Sequence, residues 1–140
     1  MKKLILLLLI VPFLIHCDDE NFNNYNPYLP SYQFSVTINM SLPSYSILKF
    51  ASNAKLVLDQ GGGVNGIIVF NTGSGYRAFD SSCPNQELTS CSMLQISGFN
   101  VVCPCDDVQY SLFTGQAVGT QTQYPLKSYR VEQNGDILRI

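Results

Sequence analysis

The chain has 140 residues, 46% of them apolar and 11% aromatic, which is one domain's worth of sequence with a modest core. The formal charge is -2, and no run of basic residues interrupts it, which argues against a nucleic-acid partner.

Residues 1–16 read as a targeting signal. Lys2 and Lys3 form a charged start, and Leu4 to Ile15 form a twelve-residue apolar stretch broken by Pro12. That is shorter than the roughly 20 apolar residues a spanning helix needs. Leu14-Ile15-His16-Cys17 resembles a bacterial lipobox, although His16 stands where a small residue is usual. The resemblance implies lipid on Cys17, which then begins the mature chain, with membrane lipid as a partner. Asp18-Asp19-Glu20 resembles the signal that sends Bacteroidetes lipoproteins to the cell surface; an ordinary solvated charge run is the other reading. The expected location is the bacterial cell envelope, on the outer membrane or at the cell surface. His16 is the single histidine, so a chain starting at Cys17 has none. Histidine-based catalytic triads and mixed Cys/His zinc sites are thereby excluded.

Residues 17–31 are expected to be the lipidated cysteine and a flexible tether, rich in Asn, Tyr and Pro, and residues 32–140 the folded domain. From Tyr32 to Met40 apolar and polar residues alternate, the pattern of a half-buried strand. Leu42 to Tyr45 turns, and Ile47 to Phe50 is too short to choose between a helical turn and irregular packing. Leu56 to Leu58 is strand-like, Gly61-Gly62-Gly63 reads as a flexible turn, and Gly66 to Phe70 as a strand buried on both faces. Thr72 to Gly75 closes a hairpin into Tyr76 to Asp80. Met93 to Ile96 and Val101-Val102 flank a further hairpin turn at Gly98-Phe99-Asn100. The remaining strands are expected near 109–112, 129–132 and 136–140. Many short strands separated by turns make an all-β antiparallel sandwich or barrel.

Two Cys-Pro loops stand at the centre of this pattern, Cys83-Pro84-Asn85 and Cys103-Pro104-Cys105-Asp106-Asp107. They resemble the cluster loops of a Rieske [2Fe-2S] domain, C-x-H followed by C-x-x-H, with 17 residues between Asn85 and Cys103 as the family's loop separation demands. Tyr110 to Gln116 resembles the family's F-D-x-x-T-G-E stretch, Tyr124 to Val131 its P-L-x-x-Y-x-V strand, and Asn134 to Ile137 its closing hairpin. The likeness implies a small antiparallel Rieske-type fold with the two cysteine loops at its tip. Carried over by position, Cys83, Asn85, Cys103 and Asp106 occupy the cofactor-binding places. Both histidines are replaced, so the expected state is a vacant site with no metal.

Five cysteines less a lipidated Cys17 leave four, all within 83–105, which reads as two disulfides with three possible connectivities. The family resemblance implies Cys83 with Cys103, because the two cysteine ligands would share one iron. It also implies Cys91 with Cys105, although Cys91 matches its counterpart only loosely. Three functions follow. The first is a cluster-free, disulfide-stapled structural or binding module, not an enzyme, with Asn85, Gln86, Asp106 and Asp107 at an exposed binding tip. The second is an electron-transfer protein whose 2Fe-2S cluster has non-standard ligands. The third is thiol-disulfide exchange through Cys103 and Cys105, spaced C-x-C rather than the usual C-x-x-C.

Overall fold

A computed structural model describes residues 24–140; the expected signal segment, Cys17 and the acidic run after it lie outside the described residues. Ten short strands follow one another: β1 (Thr37–Asn39), β2 (Ala54–Val57), β3 (Ile67–Asn71), β4 (Tyr76–Asp80), β5 (Gln95–Ser97), β6 (Asn100–Val102), β7 (Gln109–Ser111), β8 (Ser128–Tyr129), β9 (Glu132–Asn134) and β10 (Ile137–Arg139). Ser46–Lys49 forms a 3-10 turn, which settles the choice left open for Ile47 to Phe50.

All pairings are antiparallel and give three sheets, ordered β2-β3-β4-β8, β1-β10-β9 and β5-β6-β7. The first is central because β3 is buried along its whole length, as its unbroken apolar run requires. Successive side chains of a strand point to opposite faces. Ile67 and Val69 therefore enter one apolar cluster with Val36, Ile38 and Leu138 from the β1-β10 side. Ile68 and Phe70 enter another with Leu94, Val101, Tyr110, Leu112 and both Cys83 and Cys103. Neighbouring β4 divides in the same way, Ala78 to the first cluster and Phe79 to the second.

Three sequence expectations are corrected in detail. The alternation from Tyr32 to Met40 yields regular strand only at 37–39, although Val36 and Ile140 exchange backbone bonds of 2.9 Å and Tyr32 lies exposed. The single strand expected over 129–132 is divided between β8 and β9, because the chain leaves the central sheet there and joins β10. The tether does not extend to Ser31. Leu29 is fully buried, and Asn26 is buried with its Nδ2 donating to the Pro84 carbonyl at 2.8 Å. The ammonium of Lys127 donates to the Leu29 carbonyl at 2.7 Å and to Ser31 Oγ at 3.0 Å. The segment from Asn24 to Ser31 is part of the domain, held by polar bonds that its Pro- and Asn-rich composition does not announce.

Candidate functional site

β4 delivers the chain to the first cysteine loop through Asp80, whose carboxylate is wholly buried. One oxygen, Oδ2, accepts from the Val64 backbone N–H at 2.7 Å and from the Tyr129 hydroxyl at 2.8 Å. The other, Oδ1, accepts from the Ser82 N–H at 2.9 Å. A Cβ on Gly63, whose φ is +68°, would run into the Gly66 carbonyl oxygen and stand 2.9 Å from Asp80 Oδ2. The glycine turn expected to be flexible is thus closed down on the carboxylate, and glycine is needed there for close approach. Burial, reinforced by the Asp80 charge, pushes the Tyr129 phenol far above its usual range. Burial pulls the Lys127 ammonium down, against the attraction of Asp80.

The two loops then meet. In the first, the Cys83 N–H donates to the Ser92 carbonyl at 2.7 Å, folding residues 83–92 back on themselves. In the second, the Cys103 N–H donates to the Val108 carbonyl and the Asp107 N–H to the Cys103 carbonyl, both at 2.9 Å, with Asp107 in the left-handed region at φ 59°. Of the three connectivities open to four cysteines, the structure holds Cys83–Cys103 and Cys91–Cys105, with Cα separations of 5.6 and 5.3 Å that suit a disulfide. The pairs differ in surroundings. Cys83 and Cys103 are buried in the second apolar cluster, whereas Cys91 is exposed and Cys105 half-buried.

Asn85 and Asp106, the two positions expected from the sequence to match the histidine places of a Rieske pattern, do different work. Asn85 Nδ2 donates to the Tyr124 carbonyl at 2.7 Å and to the Tyr110 hydroxyl at 3.0 Å, while its Oδ1 accepts from the Tyr124 N–H at 2.8 Å. Its amide pairs with the backbone of residue 124 as a neighbouring strand would. Burial pushes the Tyr110 phenol up, with the Asn85 bond opposing the shift. Asp106 is exposed, and its Oδ1 accepts from the Val108 N–H at 3.0 Å, a local turn bond. Of the four residues expected at a polar tip, Asp106 and Asp107 are exposed, Gln86 is half-buried with Nε2 3.6 Å from Cys103 Sγ, and Asn85 is committed to Tyr124.

The sulfur atoms of Cys83, Cys103 and Cys105 all lie within 4.8 Å of one another and form the one grouping of three potential Cys, His, Asp or Glu ligands among the described residues. All three are bonded to other sulfurs. A Rieske cluster needs two thiolates and two imidazoles. Disulfide sulfurs, an amide already bonded to backbone and an outward carboxylate do not supply that donor set.

No protein-family model matches the chain, and no curated protein matches it. Among solved structures it is similar to one titled for the complex of reduced oxygenase and oxidized ferredoxin in carbazole 1,9a-dioxygenase, at 14% identity and a TM-score of 0.48, over 77% of this chain and 93% of that one. It is similar also to a protein named for the NADPH nitrite reductase small subunit, at 19% identity and a TM-score of 0.46, over 76% of this chain and 97% of that one. The ferredoxin of Sphingomonas yanoikuyae B1 matches at 21% identity and a TM-score of 0.42, over 64% of this chain and 84% of that one. Two of these three structures are named for a ferredoxin and the third for a reductase small subunit.

Proposed function

We propose that this chain is a Rieske-like domain without an iron-sulfur cluster, in which two disulfides brace the loops that a cluster would otherwise hold, and that it serves as a structural or binding module. The observation that carries this reading is the state of the donor positions. Cys83 and Cys103 are bonded to each other, and the Asn85 amide is spent on Tyr124. Disulfides between short loops suit an oxidising compartment and a small core. That agrees with export and with lipid on Cys17, which would hold the domain on a bacterial outer membrane or at the cell surface. Asp106 and Asp107, exposed on a loop fixed by the sheets behind it, are the surface offered to a partner.

Reconstitution tests the cluster-free part. Reduced protein refolded anaerobically with iron and sulfide should recover its disulfides on air exposure and retain no stoichiometric iron; stable uptake with visible absorption favours the electron-transfer reading instead. The anchor is tested separately by Cys17→Ala, which should leave the precursor unprocessed. Normally processed, soluble protein from that variant removes the lipoprotein claim. For the tip, Asp106→Ala combined with Asp107→Ala should reduce the capture of bound partners, and an unchanged set places the binding surface elsewhere.

A further inference from the structure

The two disulfides are arranged in depth, and the chemistry around each sulfur is not symmetrical. Cys91 is an exposed residue on an open groove of about 450 Å³ whose walls include the apolar side chains of Leu56, Met93, Leu94 and Ile96. Cys105, its partner, has its Sγ within 4.8 Å of both sulfurs of the buried pair. The hydroxyl of Thr89 lies 3.2 Å from Cys91 Sγ and 3.6 Å from Cys105 Sγ. At the inner pair, the Gln86 amide has its Nε2 3.6 Å from Cys103 Sγ. Each place where a thiolate would have to leave therefore has a hydrogen-bond donor beside it, and hydrogen bonding to the charged form favours it.

From this arrangement we propose that the loops form a two-step disulfide relay, in which an external dithiol opens Cys91–Cys105 and the released Cys105 transfers the opening to the buried pair. In the first step a thiolate of the dithiol attacks Cys91 Sγ, a bond forms to Cys91, and the Cys91–Cys105 bond breaks with Cys105 leaving as thiolate beside Thr89. The second thiol of the reagent resolves the mixed disulfide, so the dithiol becomes a disulfide and Cys91 a thiol. In the second step Cys105 attacks Cys83 Sγ. A Cys83–Cys105 bond forms, the Cys83–Cys103 bond breaks, and Cys103 leaves as thiolate beside Gln86. Attack on Cys103 is disfavoured because it would close a strained ring over the single residue Pro104. The dithiol loses two electrons and two protons, and the chain gains them as one disulfide fewer and two thiols, Cys91 and Cys103. The loops stay joined throughout the second step, in which Cys105 Sγ, now within 4.8 Å of both inner sulfurs, must close on Cys83 and swing into line with the Cys83–Cys103 bond.

This adds an exchange chemistry to the bracing role, and its failure would leave the cluster-free reading standing. The test uses the mature chain in detergent with dithiothreitol in limiting amount, followed by acid quench, alkylation and peptide mapping. The expected first product has Cys91 and Cys103 alkylated and Cys83 linked to Cys105. Product with Cys91 and Cys105 alkylated and the inner pair intact overturns the relay, as does simultaneous labelling of all four cysteines, or no reaction of the folded protein at all. In the Cys91→Ser variant without reductant, part of the label should fall on Cys103; label confined to Cys105 contradicts the proposal independently. Gln86→Leu should lower the rearranged fraction on the order of five-fold, the effect of one lost hydrogen bond of about 1 kcal/mol. An unchanged fraction removes Gln86 from the account.

Discussion

The two faces of β3 are equally buried and differently held. On one, Ile67 and Val69 pack against Val36, Ile38 and Leu138 from strands whose backbones pair with one another. On the other, Ile68 and Phe70 pack against Val101 of β6 and Tyr110 of β7 and against loops that contain a buried disulfide, a second disulfide further out and the Asn85 latch. Regular strands satisfy their own backbone groups as they cover a sheet. Loops do not, and a short loop buries too little apolar surface to fix itself. The contrast locates where this fold depends on its redox state.

The largest expected effects would blur that contrast. Phe79→Ala on the loop face should cost about 3–5 kcal/mol, and Ile67→Ala on the other about 2–5 kcal/mol, both measured by chemical denaturation. Either face is indispensable as packing. Cys83→Ala with Cys103→Ala sharpens the difference. Closing a 20-residue separation is worth about 3 kcal/mol in the chain-entropy model. Amide exchange should quicken in β5, β6 and β7 while β1 and β10 keep their protection. Equal loss on both faces contradicts the division.

Asn85→Ala should cost about 1–3 kcal/mol, because it takes the Asn85 oxygen from the Tyr124 N–H and leaves the Tyr124 carbonyl only the Thr122 hydroxyl at 3.1 Å. Tyr129 supplies a pH dependence on the same sheet. Its phenol has a raised pKa in the folded chain, so the unfolded chain loses its proton first. The neutral form's contribution is complete below the ordinary value of 10.0 and is lost as pH rises above it. Stability followed by fluorescence should therefore decline from about pH 10 upward, and less steeply in Tyr129→Phe. Smallest of all, Asp106→Ala should change stability by about half a kcal/mol or less, since its one bond is local and exposed. Asn85 and Asp106 each follow a Cys-Pro loop cysteine, and these two substitutions separate a built-in latch from an open tip.

How far the sequence could be read follows the range of the interactions. The buried run of β3, the β4 hairpin and the all-β class were legible because period and turn residues are local signals. Cysteine spacing alone leaves three connectivities, and a particular pairing comes only from the resemblance to Rieske loops. The roles of Asn85 and Asn26 were not legible. Their partners are 39 and 58 residues away, and an Asn in a loop reads equally well as solvated. Asp80 was seen as a strand end, with nothing to mark it as the acceptor on which a glycine turn, a tyrosine and the first cysteine loop converge. Leu29, lying between Pro27 and Pro30, gives no periodic signal, and the residue that holds its carbonyl, Lys127, is 98 positions away.

The central claim is that disulfides stand where a cluster would be. It is tested most directly on natively produced protein purified anaerobically, by measuring iron and acid-labile sulfide alongside a non-reducing peptide map of Cys83, Cys91, Cys103 and Cys105. The account expects no stoichiometric iron, and all four cysteines recovered as Cys83–Cys103 and Cys91–Cys105. Stoichiometric iron and sulfide, with Cys83 and Cys103 recovered unlinked, would contradict it.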